Sequence, residues 1–270
     1  MLHKCHITFI QLKYIKGVEM KIGLFIPCFM NELYPEASMA TYKVLENLNF
    51  DVEYPTNQTC CGQPMANSGC SKDVKSLAIN FVNNFSKYDY IVAPSGSCVT
   101  MVKEHYATFF EKDDVYYNKV KNSIYEITEF LHDVIKPENL DFSNISFPHK
   151  VGLHNSCHGH RALGLGSPTE LNIPYNSKLE NVLSLVPNIE LVELNRRDEC
   201  CGFGGTFCVT EDAVSTAMGR DRIQDHIDSN VEVMTGADMS CLMHLQGLIN
   251  RENKKLEVLH IAQILLGKDK

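Results

Sequence analysis

The residues best suited to chemistry in this sequence are cysteines, and eight of the eleven fall into two matched sets. Each set contains a Cys-Cys-Gly triplet, preceded by one distant cysteine and followed by another. The sets are Cys28, Cys60, Cys61 and Cys98 in the first half of the chain, and Cys157, Cys200, Cys201 and Cys241 in the second. The gaps before and after the cysteine pair are 31 and 36 residues in the first set, and 42 and 39 in the second. A pattern that occurs twice at similar spacing indicates an internal repeat and two similar halves.

Four cysteines close together have a restricted chemistry. Four thiolates are the usual ligands of a [4Fe–4S] or [2Fe–2S] cluster, and they also suit a structural tetrahedral zinc ion. Adjacent cysteines can direct both thiolates at one metal centre, and the following glycine lets the backbone turn tightly. Zinc ligands usually come as close pairs on small loops, whereas each set here draws on three distant loops. This difference favours an iron–sulfur centre over zinc and over reduced structural thiols.

Composition limits the remaining classes of function. The net charge of −8 argues against nonspecific nucleic-acid binding, which needs a basic surface. No apolar run approaches the roughly 20 residues of a membrane span, so we do not expect an integral membrane protein. Disulfide frameworks are typical of small secreted domains, but this chain has 270 residues, 44% hydrophobic residues and no signal-peptide pattern. We therefore expect a cytoplasmic protein with reduced, metal-binding cysteines.

The repeat predicts the domain organisation. The first half should span residues 20–135 and the second residues 151–270, joined by a polar link over residues 136–150 that contains Pro137 and Pro148. Residues 1–19 look unlike the rest, and Met20 begins a sequence that runs straight into an apolar strand. We expect residues 1–19 to be a non-native or disordered extension, with Met20 as the working start.

Alternating short apolar runs and helical patterns predict an α/β fold, with two pseudo-repeated Rossmann-like halves whose parallel sheets are flanked by helices. The predicted strands are Ile22–Ile26, Val52–Tyr54, Tyr90–Ala93, Val151–Leu153, Glu190–Glu193, Val231–Met234 and Glu257–Leu259. The predicted helices are Tyr34–Leu48, Asp73–Phe85, Cys98–Phe110, Ile124–Ile135, Lys178–Val186, Glu211–Asp228, Cys241–Ile249 and His260–Leu266.

The isolated cysteines all follow predicted strands. Cys28 and Cys98 come after strands of the first half, and Cys157 and Cys241 after strands of the second. Open α/β sheets bind ligands in the crevice beyond the carboxyl ends of their strands. Helices start in the same turns, and their free N–H groups favour an anionic ligand such as a four-thiolate cluster.

Several polar residues crowd the turn around Cys157, namely His154, His158, His160 and Arg161. A histidine could bind metal or move a proton, and the Arg161 guanidinium matches a carboxylate such as lactate. Because no full catalytic constellation accompanies them, we expect these residues mainly to support Cys157 and balance the charge of the centre.

Two further features near the triplets receive simpler interpretations. Cys70 and Cys208 lie outside the repeat, and we expect small buried residues, with Cys208 the better candidate for an extra ligand. The stretch Gly202-Phe203-Gly204-Gly205 lacks the GxGxxG spacing of a dinucleotide site, so a close turn around the cluster explains it better.

The motifs around the cysteines carry a specific resemblance, which covers about residues 20–266. They are Pro27-Cys28-Phe29, Tyr34-Pro35-Glu36, Gln58-Thr59-Cys60-Cys61-Gly62-Gln63-Pro64, Ala93-Pro94-Ser95-Gly96-Ser97-Cys98, Ser156-Cys157-His158, Glu199-Cys200-Cys201-Gly202-Phe203-Gly204-Gly205-Thr206-Phe207 and Cys241-Leu242-Met243-His244. The sequence resembles the cysteine-rich CCG domains found in heterodisulfide reductase and in the iron–sulfur subunits of glycolate and glycerol-3-phosphate dehydrogenases. Within these it is most similar to the lactate utilization protein A (LutA/YkgE) family.

The sequence departs from the wider domain at one position of each repeat. Heterodisulfide reductase has a CxxC pair here. Its first cysteine is replaced by Ser95 before Cys98 and by Asp238 before Cys241 or, in the alternative alignment, its second cysteine is replaced by Met101 and His244. With four cysteines per set instead of five, a [4Fe–4S] cluster in each half becomes the favoured cofactor.

The resemblance implies an iron–sulfur subunit of a system that oxidises L-lactate to pyruvate. Its partners would be a ferredoxin-like iron–sulfur subunit and a third small lactate-utilization subunit, and it would be an oxidoreductase subunit not active alone. Two alternatives stay open. One is a thiol–disulfide reductase of the heterodisulfide type, which loss of the CxxC cysteines disfavours, and the other is a non-catalytic, zinc-stabilised interaction module.

Overall fold

The structure, a computed structural model, describes residues 11–12 and 20–267 and contains two four-stranded parallel sheets of the same topology. The strands are β1 Gln11–Leu12, β2 Lys21–Leu24, β3 Asp51–Glu53, β4 Tyr90–Ala93, β5 Ile124–Glu126, β6 Leu140–Asp141, β7 Lys150–Leu153, β8 Glu190–Val192, β9 Val233–Gly236 and β10 Glu257–His260. The sheets have the orders β3-β2-β4-β5 and β8-β7-β9-β10. The predicted α/β fold of two pseudo-repeated halves is therefore confirmed.

Helices cover both faces of the two sheets. They are α1 Cys28–Leu33, α2 Pro35–Asn47, α3 Gln63–Asn67, α4 Ser71–Phe85, α5 Gly96–Thr100, α6 Val115–Ser123, α7 Ile127–Glu129, α8 Lys178–Leu183, α9 Phe207–Thr210, α10 Asp212–Asp228, α11 Met239–Arg251 and α12 Ile261–Ile264. Wider π-helical turns occur at Met101–His105, Phe130–Ile135 and His158–Ala162, and short 3-10 turns at Tyr106–Thr108, Pro137–Asn139 and Thr169–Leu171.

The central strand of each sheet is apolar on both faces, as expected when helices cover both. In β2, Ile22 pairs with Val52 on one side and Tyr90 on the other. In β7, Val151 pairs with Leu191 and Val233 in the same way. The paired halves thus repeat even the register of their strands.

One predicted helix was wrong at its start. Ile124–Ile135 was predicted as a single helix, but its first three residues form β5, which pairs with β4 from Ile91↔Ile124 to Ala93↔Glu126. Glu126 then caps α7 by accepting hydrogen bonds from the backbone N–H groups of Thr128 and Glu129. A β-branched and aromatic beginning suits a strand, and the short helical pattern beyond it conceals the boundary.

The predicted helix Cys98–Phe110 is also different in detail. It begins two residues earlier, at Gly96, because the Ser95 hydroxyl accepts a hydrogen bond from the Cys98 N–H and caps α5. The chain then widens into the π turn Met101–His105 before it tightens into the 3-10 turn Tyr106–Thr108. Cys98 consequently lies in the first turn of a helix, facing the end of the sheet.

The segment over residues 136–150, predicted as a polar link, has several buried apolar side chains. The side chains of Phe142, Ile145 and Phe147 are buried, so the connection packs onto the core. Its strand β6 pairs antiparallel with β1, at Gln11↔Asp141 and Leu12↔Leu140. Apart from Gln11 and Leu12, the predicted N-terminal extension lies outside the described residues.

The two halves meet where α5 and α11 begin. The backbone of Ser95 bridges that of Asp238, and the Gly96 N–H donates to the Ala237 carbonyl at 3.1 Å. The Asp238 carboxylate accepts from the Ser97 N–H of the other half at 2.6 Å and from the Ser240 N–H of its own helix at 3.1 Å. One buried carboxylate therefore caps helices from both halves.

Within residues 11–12 and 20–267, no helix is both long and apolar enough to span a bilayer.

Candidate metal centre

Each cysteine of the two sets lies just beyond the carboxyl end of a parallel strand. In the first half, Cys28 begins α1 after β2, the Cys60-Cys61 pair follows β3, and Cys98 lies in the first turn of α5 after β4. The second half repeats this arrangement. Cys157 follows β7, the Cys200-Cys201 pair follows β8, and Cys241 lies in the first turn of α11 after β9.

In each half the four thiols form a row in which each lies within hydrogen-bonding reach of the next. The Sγ atoms of Cys61 and Cys98 are 3.5 Å apart. Cys60 exchanges side-chain hydrogen bonds with both Cys28 and Cys61. In the second half, Cys200 is linked in this way to Cys157 and Cys201, and Cys201 is linked to Cys241. The structure thus brings each predicted set together as one four-thiol group.

The hydrogen bonds set the charge of each group without metal. Hydrogen bonds from neighbouring thiols lower the pKa of Cys60 to about 3, and the Gly62 N–H assists. The same pattern lowers the pKa of Cys200 to about 2. In the first half, hydrogen bonding to the Cys60 thiolate, together with burial, raises the pKa values of Cys28 and Cys61. Four thiolates in one half consequently need a cationic partner, which a metal centre supplies.

The glycine of each triplet has a backbone that other residues adopt poorly. Gly62 and Gly202 have φ angles of +84° and +87°. A Cβ atom on Gly62 would lie 2.6 Å from Val74 Cγ1, and one on Gly202 would lie 2.5 Å from the Ser215 carbonyl oxygen. These glycines let the cysteine pair turn back toward the sheet while the following helix packs closely against it.

All eight cysteines line one cavity of about 370 Å³ between the halves. Its wall is completed mainly by apolar or small side chains, among them Phe29, Pro64, Phe203 and Met243. Two soft, thiol-rich groups in a largely apolar cavity fit thiolate-bound metal better than a hard cation, which would need oxygen ligands. The residues present therefore fit the expected iron–sulfur groups, one per half, facing a common space.

His154 is the site residue whose position sequence reasoning did not anticipate. Its side chain is 1% exposed, and neither ring nitrogen has a hydrogen-bond partner among the described residues. Its ligand atom and the Sγ atoms of Cys201 and Cys241 all lie within 4.8 Å of one another. Burial, followed by the nearby charge of Arg222, holds the pKa of His154 well below its usual value. The available signal was its place at the end of a strand, three residues before Cys157.

The other polar residues of that turn face different surroundings. His158 lines the cavity, whereas the buried ring of His160 lies against Gly166. Arg161 Nε donates to Glu170 Oε1 at 2.5 Å, and its guanidinium also lies 3.6 Å from an Asp198 oxygen. Arg161 is thus engaged by two carboxylates in a surface groove, while its charge also acts on Cys157 and partly offsets the rise in the pKa of that thiol that hydrogen bonding to Cys200 and burial cause.

The two cysteines nearest the triplets stay outside the cavity wall. Cys70 is exposed and Cys208 half-buried, so the expectation that both are small buried residues was wrong. Cys208 Sγ lies 3.1 Å from the Gly205 carbonyl oxygen, which it can use as a hydrogen-bond acceptor. Gly204 and Gly205, with φ angles of +52° and +66°, form the close turn between Cys201 and α9.

Comparisons with known proteins agree with the repeat. The family model described as "Cysteine-rich domain" (CCG) matches twice, over residues 22–103 and 151–246. Lactate utilization protein A 1 of Bacillus mycoides is 36% identical over 249 residues, covering 91% of this chain and 96% of that protein. Lactate utilization protein A of a Geobacillus strain is 37% identical, covering 91% and 99%.

Solved structures give only a distant likeness. Glutamate racemase from Francisella tularensis aligns with 92% of this chain and 78% of its own, at 11% identity and a TM-score of 0.37. A putative Asp/Glu racemase from Yersinia pestis aligns at 12% identity and a TM-score of 0.36, covering 92% and 96%.

Proposed function

Because this chain belongs to the cysteine-rich CCG-domain family and, within it, to the lactate utilization protein A proteins, we propose that it is an iron–sulfur subunit of an L-lactate-oxidising system. It would carry electrons released as lactate becomes pyruvate. The observation that supports this most directly is the convergence of eight cysteines, in two four-thiol groups, on one cavity.

The residues that would hold the clusters are the two sets of four cysteines. Bound iron–sulfur clusters would supply one-electron redox steps that no side chain of this chain provides. The protein's own contribution is to fix the thiols on rigid strand ends and helix starts. The N–H groups of Gly62 and Gly202 donate to Cys60 and Cys200, and such donors stabilise negative charge on sulfur.

The surroundings of Arg161, the candidate residue for binding lactate, fit an electron-carrying role. Arg161 was the residue best suited to a lactate carboxylate, but Glu170 and Asp198 already occupy its guanidinium. We therefore assign to this chain the passage of electrons and not the binding of lactate. Its partners would be a ferredoxin-like iron–sulfur subunit and a third small subunit of the same system, as the family resemblance implies.

The cluster assignment is tested by anaerobic purification with analysis of iron, sulfide and zinc. Cys61→Ser and Cys201→Ser each remove one thiolate from one set, and a neutral hydroxyl is a poor cluster ligand. We expect each variant to lose about half of the iron and to remain folded. Cys70→Ser is the matched control, since this exposed cysteine lies outside both sets, and its iron content should equal that of the wild type.

The physiological role is tested by growth on L-lactate of a strain that lacks this protein. The wild type and Cys70→Ser should restore growth, whereas Cys61→Ser and Cys201→Ser should not. Growth with both cluster variants would overturn the electron-carrying role. Zinc without sulfide in the wild type would instead favour a zinc-stabilised interaction module.

A further inference from the structure

The strands and helices behind the cysteines have the same order in the two halves, which makes differences between their buried residues informative. Phe25 lies three residues before Cys28, and His154 three residues before Cys157. The helices that pack on the two sheets also bury side chains at the same spacing. These are Val74, Ala78, Phe81, Val82 and Phe85 in α4, and Ser215, Gly219, Arg222, Ile223 and His226 in α10.

In the first half, three of these positions form an aromatic cluster behind the cysteines. The ring centroids of Phe25 and Phe81 are 4.8 Å apart, those of Phe81 and Phe85 4.5 Å, and those of Phe25 and Phe85 5.8 Å. All three side chains are buried. This cluster offers the first thiol group neither a hydrogen-bond donor nor a metal ligand.

In the second half, the equivalent three positions are His154, Arg222 and His226. Arg222 is fully buried and donates to the Leu153 carbonyl at 2.8 Å, while its charge is paired with Asp225 at 3.2 Å. His226 Nδ1 lies 2.9 Å from the Arg222 carbonyl oxygen. Arg222 and His226 thus each have at least one hydrogen-bond partner, although Arg222 Nε and His226 Nε2 have none among the described residues.

Neither ring nitrogen of His154 has a hydrogen-bond partner among the described residues, and the ring lies beside the second cysteine set. A buried imidazole with two unpaired nitrogens is unfavourable, because each nitrogen has lost its hydrogen bond to water and gained none in the protein. Its ligand atom lies within 4.8 Å of two cysteine sulfurs, at the distance where one bound metal would contact all three. A neutral imidazole is a common metal ligand, so a metal at this point would satisfy the ring.

We propose that His154 binds the metal of the second centre alongside Cys201 and Cys241, in place of one of the other two thiolates of that set, so that the two centres of the chain differ in ligands and in reduction potential. The proposal rests on the iron–sulfur loading proposed above. An imidazole is neutral where a thiolate is anionic, and replacing thiolate by imidazole raises the potential of an iron–sulfur centre. The second centre is then the higher-potential one, and electrons pass from the first half to the second.

The ligand is tested by nitrogen hyperfine spectroscopy on the reduced protein labelled with 15N-histidine. The Cys61→Ser background removes the first centre, so that the remaining signal comes from the second. We expect the strong coupling of one directly bound nitrogen. It should disappear in Cys61→Ser/His154→Phe and persist in Cys61→Ser/His158→Gln, where the other histidine that lines the cavity is changed.

The consequence for electron flow is tested by a redox titration monitored by electron paramagnetic resonance. The wild type should titrate in two steps, with the second-half centre reduced first. His154→Phe, which installs the residue of the first half, should lower the potential of that centre and leave the other unchanged.

Two results would overturn the proposal while the iron–sulfur function stands. One is a cluster in Cys61→Ser without strong nitrogen coupling, and the other is an unchanged potential in His154→Phe. Should His154→Phe fail to fold, the labelled spectrum of Cys61→Ser decides alone. A wild type without iron would instead contradict the proposed function.

Discussion

Glu126 and His260 occupy the same place in the two halves, but they respond to pH in opposite directions. Each ends a strand and caps the short helix that follows, in a capping box completed by Glu129 and Gln263 respectively. Burial raises the pKa of Glu126 to about 8 and lowers that of His260 to about 4. Ionisation of Glu126 therefore lowers the free energy of unfolding as the pH rises from 4.5 to 8. Protonation of His260 lowers it as the pH falls from 6.5 to 4.

Glu126→Gln should remove the loss of stability that Glu126 causes between pH 4.5 and 8. Between pH 4.5 and 8 the native Glu126 binds more protons than the unfolded one, which costs up to about 1.4 kcal/mol per pH unit. The amide keeps an oxygen for the Thr128 N–H and does not titrate. Urea unfolding of the cluster-free protein at about pH 5 to 8 should show the free energy of the variant rising relative to the wild type. Parallel curves would contradict the buried, raised pKa.

Residue types alone indicated the eight cysteines, because few arrangements other than a thiolate centre explain two repeated triplets. They indicated His154 only as one of three histidines near Cys157, any of which could bind metal or support that cysteine. Its importance depends on facing Cys201 and Cys241 across the end of the sheet and on lacking any other partner among the described residues. Neither property can be read from a histidine near a cysteine in sequence.

At the scale of secondary structure, the turns between strand and helix position the chemistry. Apolar runs such as Tyr90–Ala93 were predicted with their observed bounds, since four consecutive apolar or aromatic residues suit a doubly covered strand. β5 was missed because its three residues merge into a helical pattern that ends at Ile135. The pairing partner, β4, and not the local sequence, decides that boundary.

Gly202→Ala should damage the second centre more than its backbone angle alone requires. The new methyl group would lie 2.5 Å from the Ser215 carbonyl oxygen, so α10 and the Cys200-Cys201 turn must separate. Gly69→Ala is the matched control, because Gly69 has a φ of +82° and no described atom within 4 Å of the position that a methyl group would take.

We expect the control to lose about 1–2 kcal/mol of unfolding free energy from its left-handed backbone, with full iron content. Gly202→Ala should lose more and retain about half of the iron. Equal effects of the two substitutions on iron and on urea unfolding would show that the close packing of α10 is unimportant.

At the scale of the whole molecule, the halves are joined where α5 and α11 begin. Ser95 and Asp238 are both buried, and their backbones pair with each other. Asp238 accepts hydrogen bonds from Ser97 and Ser240, one from each half. Ser95 and Asp238 therefore connect the helices that carry Cys98 and Cys241.

Asp238→Ala should destabilise the chain by more than the loss of an ordinary helix cap. It leaves the buried Ser97 N–H and the part-buried Ser240 N–H without their acceptor, at about 1–3 kcal/mol for a fully buried group. Asp114→Ala is the comparison, because Asp114 caps α6 through the Tyr117 N–H within one half. That loss should cost about 1 kcal/mol. Similar urea midpoints for the two variants would mean that Asp238 does not couple the halves.

The replacement of Phe25, Phe81 and Phe85 by His154, Arg222 and His226 bears on why the fold is repeated within one polypeptide. A homodimer made of one such half would be translated from a single gene, so its two cysteine sites would have identical surroundings. Duplication and fusion release that constraint, because each copy then accumulates its own substitutions. A fused gene can therefore encode an electron-donating and an electron-accepting centre, whereas a symmetric homodimer has two equal centres.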